Sequence, residues 1–220
     1  MEDNQAVQIY QEKLFLQYAR IGKCLSSERR LEILSLLSNG PKSVEMIAQQ
    51  TGMSVANVSR HLQILLEANL VKFSKQKNYV IYSLATPAVA DFLMSLWKIC
   101  ENQLSDVPRL KEDMLKQYHD VTSISKEELS KRMNEGTILV LDVRPKEEYE
   151  FEHIDGAISV PLEELDQYLL DLPRDTEIAA YCRGPYCVYT SQAVETMQKK
   201  GFKAYRIAEG VQEWRAEEDD

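Results

Sequence analysis

The stretch Ala180-Tyr181-Cys182-Arg183-Gly184-Pro185-Tyr186-Cys187-Val188 decides the fold of the second half of the chain. An apolar run over residues 177–181 leads into it and predicts a buried strand. Apolar residues at helical spacing follow over residues 188–200 and predict a helix. Cys182 is therefore expected at the end of a strand, on a short Gly-Pro loop, just before a helix N-terminus.

That position predicts a reactive cysteine. Backbone N–H groups converge at a helix N-terminus, and the helix dipole there favours negative charge. The thiol of Cys182 should ionise more readily than that of a free cysteine, and the thiolate is a nucleophile. The alternative is a small buried hydrophobe. Cys187 shares the loop, and it either resolves a persulfide or sulfenate on Cys182 into a disulfide or packs beneath the loop.

Strands and helices alternate on both sides of this loop. The predicted strands cover residues 137–141, 157–160, 177–181 and 203–207, and the predicted helices cover 125–133, 145–151, 162–170, 188–200 and 210–216. Such alternation indicates a parallel sheet covered by helices on both faces. Sites in these sheets lie beyond the carboxyl ends of the strands, where both Asp142 and Cys182 are expected.

The first half of the chain has a different pattern. Helices are predicted over 4–25 and 27–38, then over 44–50 and 55–68 with a turn at Gly52 between them, followed by a hairpin over 70–84. This order is typical of a winged helix-turn-helix, although any small helical bundle has polar outer faces. The candidate DNA-contacting residues are Ser54, Asn57, Ser59, Arg60, His61, Gln63, Lys75 and Lys77.

Charge also separates the two halves. Residues 1–100 hold 11 Lys and Arg against 8 Asp and Glu, a balance of +3, and residues 101–220 hold 15 against 27, a balance of −12. The acidic half should repel nucleic acid, while the first half need not. No apolar run reaches the length of about 20 residues that spans a membrane. The acidic N-terminus is unlike an export signal, so we expect a cytoplasmic protein with reduced cysteines.

Residues 22–95 resemble the ArsR/SmtB winged helix-turn-helix repressors. The segments that carry this resemblance are Gly22-Lys23-Cys24-Leu25-Ser26-Ser27-Glu28-Arg29-Arg30-Leu31-Glu32-Ile33-Leu34, Val58-Ser59-Arg60-His61-Leu62-Gln63-Ile64-Leu65 and Asn69-Leu70-Val71. The resemblance implies a homodimer with the first and last helices at the interface, and it implies operator DNA as a double-stranded partner of the helix that starts after Ser54.

Metal sensing, which occurs in many members of that family, is not expected here. The segment over 43–48 has no cysteine, and the three histidines are scattered along the chain. We expect no metal and no cofactor. Cys24 and Cys100 are a candidate thiol sensor on the presumed interface helices, with ordinary packed cysteines as the alternative.

Residues 122–217 resemble a single rhodanese domain. The motifs are Leu141-Asp142-Val143-Arg144, Glu148-Tyr149, His153-Ile154-Asp155-Gly156-Ala157, Tyr181-Cys182-Arg183 and Glu209-Gly210-Val211-Gln212-Glu213-Trp214. The resemblance implies that Cys182 accepts a sulfane sulfur as a persulfide, from a donor such as thiosulfate or a persulfide, and passes it to a thiophilic acceptor.

The same resemblance implies roles for the residues around Cys182. Arg183 would attract an anionic donor, and Asp142 and Arg144 would brace the loop and sheet, while His153 would orient a turn. The active-site loop that would cradle the terminal sulfur is Gly184, Pro185, Tyr186, Cys187 and Val188.

Three positions depart from related patterns. Glu152 and Glu209 stand where many rhodanese domains have glycine, which changes local backbone detail. Rhodanese-like phosphatases have a longer loop with an arginine six residues after the cysteine, where this chain has Val188. Sulfur chemistry is therefore favoured over phosphate chemistry.

The sequence thus predicts two domains: a mainly α winged helix-turn-helix domain over 1–100 and an α/β rhodanese-like domain over 122–220, joined by a helical linker over 101–121. The predicted function is a DNA-binding transcriptional regulator that carries sulfane sulfur on Cys182 and so senses or transfers reactive sulfur. The alternatives are an active thiosulfate sulfurtransferase that regulates its own operon and a silent rhodanese fold used as a binding module.

Overall fold

The computed structural model describes residues 2–118, 121–185 and 187–216. The chain forms two compact units, and the division between them falls between Leu93 and Met94. Within the described residues, no helix is both long enough and apolar enough to cross a membrane. The domain limits derived from the sequence stay predictions.

The N-terminal unit combines helices with a small antiparallel sheet. Its helices are α1 (Glu2–Leu25), α2 (Glu28–Ser38), α3 (Val44–Thr51), α4 (Val55–Glu67) and the start of α5 (Pro87–Gln103). Its strands are β1 (Lys42–Ser43), β2 (Val71–Gln76) and β3 (Tyr79–Leu84), in the order β1-β3-β2. The predicted helices and hairpin are confirmed, while β1 is too short to have produced a sequence pattern.

The caps of α3 and α4 form as the sequence predicts. The Ser43 hydroxyl accepts a hydrogen bond from the Met46 amide at 3.2 Å, and the Ser54 hydroxyl accepts one from the Asn57 amide at 3.3 Å. Gly52 ends α3 with a φ of 67°, a left-handed conformation that glycine adopts without strain. These features fix the turn between the two helices.

The C-terminal unit is an α/β layer structure. Its helices after α5 are α6 (Asp106–Leu115), α7 (Lys126–Asn134), α8 (Lys146–Phe151), α9 (Leu165–Tyr168), α10 (Val188–Lys199) and α11 (Val211–Ala216). Its strands are β4 (Thr122–Ser123), β5 (Leu139–Asp142), β6 (Ile158–Ser159), β7 (Glu177–Tyr181) and β8 (Lys203–Arg206).

The segment that follows α5 corrects one interpretation. We expected the tail of α5 and then a connector broken at Pro108, but α6 runs through Pro108. Proline is tolerated there because it is the third residue of the helix, where a backbone N–H has no partner within the helix. His119 and Asp120 of the predicted linker lie outside the described residues.

All five strands of the C-terminal sheet are parallel, in the order β4-β8-β7-β5-β6. Side chains alternate between two apolar layers because successive residues of a strand face opposite sides. Ala180 and Cys182 pack in the layer under α9 and α10, whereas Ala179 and Tyr181 pack in the layer under α7 and α11. Cys182 therefore lies at the carboxyl edge of the sheet and faces α10.

Candidate functional site

Two sulfur atoms meet at the carboxyl edge of the sheet. Cys182 follows β7 directly and is 2% exposed, while Cys187 is the N-cap residue of α10 and is partly exposed. A hydrogen bond joins their Sγ atoms, which are 2.7 Å apart. The Cys187 amide donates to the Gly184 carbonyl oxygen at 3.1 Å and closes the loop between them. Tyr186 lies outside the described residues.

The two thiols differ in acidity. The hydrogen bond to Cys187 and then burial raise the pKa of Cys182. The hydrogen bond from Cys182 lowers the pKa of Cys187 to about 6, with further help from the backbone N–H groups of Arg183 and Tyr189 and from the charge of Arg183. The expectation of a readily ionised Cys182 is wrong in this pair, because the hydrogen bond to Cys187 and burial outweigh the charge and the backbone N–H of Arg183.

Arg183 forms an ion pair that the sequence did not reveal. Its Nε donates to both carboxylate oxygens of Glu148 at 3.2 and 2.9 Å, and its Nη2 donates to Oε1 at 2.7 Å. Glu148 is 1% exposed, so the carboxylate depends on this bidentate pairing for its charge. Arg183 thus ties the cysteine loop to α8.

Asp142 and Arg144 form a second buried ion pair beside β7. The Arg144 Nη2 donates to Asp142 Oδ2 at 2.6 Å and to the Glu152 carbonyl oxygen at 2.7 Å, and the Arg144 amide donates to Asp142 Oδ1 at 2.9 Å. Its guanidinium carbon lies 5.6 Å from the Tyr181 ring centroid. Both residues therefore lie against the strand that leads to Cys182.

Gly210 packs directly against the cysteine loop. A Cβ added at Gly210 would lie 2.7 Å from the Gly184 amide nitrogen and 2.8 Å from the Arg183 carbonyl carbon, so only glycine fits. Gly184 itself has a φ of 111°, and a Cβ there would meet the Glu213 carboxylate at 3.0 Å. That carboxylate accepts a hydrogen bond from the Gly210 amide at 2.9 Å. The start of α11 therefore supports one side of the loop.

Arg206 supports the other side of the loop, a role that was not predicted from the sequence. This last residue of β8 is 3% exposed, and its Nη2 donates to the Pro185 carbonyl oxygen at 2.9 Å. Its charge interacts favourably with Cys187 and with Glu209, while burial lowers its own pKa. An arginine next to apolar Ile207 at a strand end was the signal available in the sequence.

The predicted site also includes His153 and Val188. His153 is exposed, its Nδ1 lies 2.9 Å from the Tyr149 carbonyl oxygen, and its ring stacks on the Tyr149 ring at 3.9 Å. It thus lies on the turn after α8. Val188 is the first residue of α10 and is largely exposed.

The predicted DNA-contacting residues lie on α4, at its N-cap and on the β2–β3 hairpin of the N-terminal unit. On α4 and at its N-cap, Ser54, Ser59, Arg60 and Gln63 are exposed, and Asn57 and His61 are half-buried. Lys75 on β2 and Lys77 at the hairpin turn are exposed as well. The buried face of α4 consists of Val58, Leu62 and Leu65, which leaves the polar face outward.

His61 differs from the other members of this set. Its Nδ1 is buried and has no hydrogen-bond partner among the described residues. Burial lowers the pKa of His61, and the charges of Arg30, Arg60 and Arg29 lower it further. His61 is therefore neutral at pH 7 and packs partly inside the unit.

Cys24 and Cys100 belong to different units. Cys24 is buried at the end of α1, with its thiol 3.9 Å from the Ile64 carbonyl oxygen of α4, and burial raises its pKa. Cys100 is half-buried on α5. In the part of the chain that the structure describes, no three His, Cys, Asp or Glu side chains are arranged to hold a metal ion.

Comparison with known proteins assigns the chain to a family. Residues 27–72 match the family described as "Bacterial regulatory protein, arsR family", and residues 125–217 match the "Rhodanese-like domain". The chain is 39% identical over 199 residues to the "HTH-type transcriptional regulator Rv0324" of Mycobacterium tuberculosis, which covers 90% of this chain and 87% of that protein. The chain belongs to the arsR family. It is a DNA-binding transcriptional regulator with a C-terminal rhodanese-like domain.

Both resemblances and the predicted two-domain fold class are thereby confirmed. Other relatives of this arsR-family protein match one half each. A "Thiosulfate sulfurtransferase GlpE" of Coxiella burnetii is 29% identical over 101 residues, 45% of this chain and 89% of that protein. A solution structure described as the "homodimeric winged helix-turn-helix DNA-binding domain" of Mb0332 from Mycobacterium bovis is 35% identical, covers 43% of this chain and 88% of that chain, and has a TM-score of 0.42.

Proposed function

We propose that this regulator carries sulfane sulfur on Cys182 as a persulfide and thereby senses or transfers reactive sulfur. The observation that supports this proposal is the contact of the Cys182 and Cys187 sulfur atoms, 2.7 Å apart at the N-terminus of α10. Through this contact the Cys187 thiolate can take the proton of Cys182, which makes Cys182 the sulfur nucleophile. In this proposal the dithiol is the sulfur-reactive centre of the rhodanese-like domain.

The pair can load sulfur from thiosulfate without any further reactant. The Cys182 sulfur attacks the outer sulfur of thiosulfate, and its proton passes to the Cys187 thiolate along the hydrogen bond between them. A new S–S bond forms on Cys182 as the S–S bond of thiosulfate breaks, and sulfite leaves with the electron pair. Loop N–H groups between Arg183 and Val188 stabilise the charge on the terminal sulfur.

Arg183 takes a supporting part in this proposal. Its guanidinium charge acts on both sulfur atoms, while two of its nitrogens are engaged with Glu148. The ion pair holds the loop against α8, and it places the buried negative charge of Glu148 next to the Arg183 guanidinium. We therefore propose that the main role of Arg183 is to stabilise negative charge on the two sulfur atoms. Attraction of an anionic donor is its lesser role.

Labelling with thiosulfate that is radioactive in its outer sulfur tests the proposal. Under anaerobic conditions and without reductant, the Cys187→Ser variant should retain label that a thiol reductant removes. A Cys182→Ser/Cys187→Ser variant should retain none, and Cys100→Ser should behave as wild type. Equal labelling with and without Cys182 would refute a persulfide on that residue.

For DNA recognition we propose that α4 enters the major groove and that the β2–β3 hairpin contacts phosphate. The exposed residues that support this are Ser54, Ser59, Arg60, Gln63, Lys75 and Lys77, with Asn57 and His61 at the edge of the surface. Half-buried His61 would contribute less than its neighbours. The measurement is operator affinity against salt concentration, since replacing a lysine that binds phosphate lowers the slope by about one.

We also propose that the protein acts as a homodimer. Large apolar side chains of α1 are exposed in the single chain, among them Tyr10, Phe15 and Tyr18. Such a helix face needs a partner surface, and the Mycobacterium bovis relative is described as homodimeric. Sedimentation of the full chain tests this, with Phe15→Lys expected to shift it toward monomer.

A second candidate function is a working sulfurtransferase that regulates its own operon. The 29% identity to a thiosulfate sulfurtransferase over 101 residues favours it. Steady transfer of sulfur from thiosulfate to cyanide, continuing far beyond one turnover per chain, would support this function. A single loading followed by arrest would support the sensor instead.

A further inference from the structure

We propose that Cys187 is the resolving nucleophile of this site and that Arg206 is the positioning residue that holds it in place for that step. The inference rests on the proposed function, in which Cys182 is loaded with sulfur, and it adds what happens to that sulfur afterwards. Sulfur loading ends in a Cys182–Cys187 disulfide with release of hydrosulfide. The loop thus reduces the arriving sulfane sulfur and is itself oxidised.

The reaction balances without an external oxidant. The proton that Cys187 accepted during loading first passes to the terminal sulfur, which restores the Cys187 thiolate. This thiolate attacks the Sγ atom of the Cys182 persulfide, and a bond forms between the two Sγ atoms. The bond between Cys182 Sγ and the terminal sulfur breaks, and that sulfur leaves with the electron pair as hydrosulfide. The sulfane sulfur is reduced, and the two cysteines are together oxidised by two electrons.

The geometry favours this step over a stable persulfide. The attacking and attacked Sγ atoms are already in contact at 2.7 Å, so no loop rearrangement is needed to bring them together. In the reduced pair the pKa of Cys187 is lowered to about 6. The backbone N–H groups of Arg183 and Tyr189 and the Arg183 charge continue to lower it once Cys182 has lost its proton.

Arg206 holds the loop segment that presents Cys187. Its Nη2 binds the Pro185 carbonyl oxygen two residues before Cys187, and its charge interacts favourably with the Cys187 thiolate. The Arg206 Nε is buried and has no hydrogen-bond partner among the described residues. A buried donor of this kind is costly unless a negative charge nearby makes use of it, and the Cys187 thiolate is such a charge.

The charged groups around Cys187 come from every element packed against the loop. They are Arg183 on the loop with Glu148 of α8, Arg206 of β8 with Glu209 just after it, and Glu213 of α11 beside Gly184. Glu148 is committed to Arg183, and the Glu213 carboxylate accepts from the Gly210 amide. Arg206 is thus the buried cation on the β8 side of the pair.

The decisive experiment compares wild type with Cys187→Ser under anaerobic, reductant-free conditions. With thiosulfate, wild type should release one sulfite and one hydrosulfide per chain and form the Cys182–Cys187 disulfide, seen by mass spectrometry as a linked peptide. Cys187→Ser should keep one added sulfur on Cys182 and release no hydrosulfide. Wild type that accumulates a stable Cys182 persulfide beside a free Cys187 thiol would overturn this inference alone.

A different result separates failure of the loading itself. If Cys182 gains no sulfur in Cys187→Ser, and wild type forms no disulfide with either thiosulfate or a persulfide donor, the proposed function fails and this inference fails with it. Loading in Cys187→Ser combined with a stable persulfide in wild type leaves the proposed function standing.

Arg206 variants test the positioning role. Arg206→Gln should raise the pH midpoint of hydrosulfide release and slow the release at pH 7 by about two- to threefold, because a smaller share of Cys187 is ionised. Arg206→Lys should keep the charge and restore most of the rate, and thermal unfolding of both variants monitors the fold. An unchanged pH midpoint in a folded Arg206→Gln, or equal slowing in Arg206→Lys, would overturn the role.

Discussion

Alkylation of Cys187 by iodoacetamide should rise with pH around a midpoint of about 6, because Cys182, two backbone N–H groups and Arg183 lower its pKa to about 6. A cysteine with an ordinary pKa of about 8.5 is only about 3% ionised at pH 7, whereas Cys187 would be about 90% ionised. The thiolate of an acidic thiol is intrinsically weaker as a nucleophile, here by about tenfold. The rate at pH 7 therefore exceeds that of a free thiol only a few-fold, and the midpoint is the diagnostic quantity.

The assay is peptide-resolved mass spectrometry of the full chain after brief exposure to the reagent across a pH series. Cys182→Ala is the matched variant, because it removes the hydrogen bond that contributes most to the low pKa of Cys187. Its Cys187 midpoint should move upward, toward that of a cysteine in a model peptide measured in parallel. A wild-type midpoint near that of the peptide, or the same midpoint in Cys182→Ala, would refute the reasoning about the loop.

Three further changes test the surroundings. Gly210→Ala places a Cβ 2.7 Å from the Gly184 amide nitrogen; we expect a loss of about 1–3 kcal/mol in urea unfolding and slower sulfur loading, and unchanged loading would contradict the close packing. Arg144→Leu leaves the buried Asp142 carboxylate without its arginine; the expected loss is about 3–5 kcal/mol by urea unfolding, and a loss near zero would show that the pair is dispensable. Arg60→Gln should weaken operator binding by about 1–3 kcal/mol if it contacts a base, with unfolding unchanged, and wild-type affinity in a titration would exclude such a contact.

The placement of Asp142 and Cys182 at the carboxyl edge of the sheet could be predicted from the sequence. Short apolar runs separated by helical patterns predict a parallel sheet, and a parallel sheet brings the carboxyl ends of its strands to one edge. In the structure Asp142 pairs with Tyr181, and Cys182 follows directly. The prediction that strand 177–181, the cysteine loop and helix 188–200 follow one another is confirmed within one residue.

The chemistry inside the loop was less accessible, because it depends on distances between residues far apart in the chain. Glu148 reaches Arg183 from 35 residues away, and Arg206 reaches Pro185 from 21 residues away. Neither contact leaves a spacing pattern in the sequence. The difference in acidity between the two thiols depends first on a 2.7 Å contact, which periodicity does not resolve.

The prediction of a break at Pro108 in the linker was wrong for a similar reason. A proline inside a polar segment usually marks a break, yet Pro108 falls in the first turn of α6, where a missing N–H has no consequence for the helix. The position of Pro108 relative to the helix start decides whether the helix continues through the proline or breaks there. Boundaries of this kind follow from hydrogen bonds that the sequence alone leaves undetermined.

We propose that this regulator senses sulfur by coupling chemistry at Cys182 to DNA binding by the same chain, which requires two states of different DNA affinity. The most direct test of this coupling is the affinity of the full-length protein for its operator, measured by fluorescence anisotropy at fixed salt with and without a persulfide donor. We predict that the donor shifts the affinity of wild type and of Cys100→Ser and leaves Cys182→Ser unchanged. An equal shift in wild type and in Cys182→Ser, or no shift in wild type whose Cys182 is shown to be modified, would contradict the account.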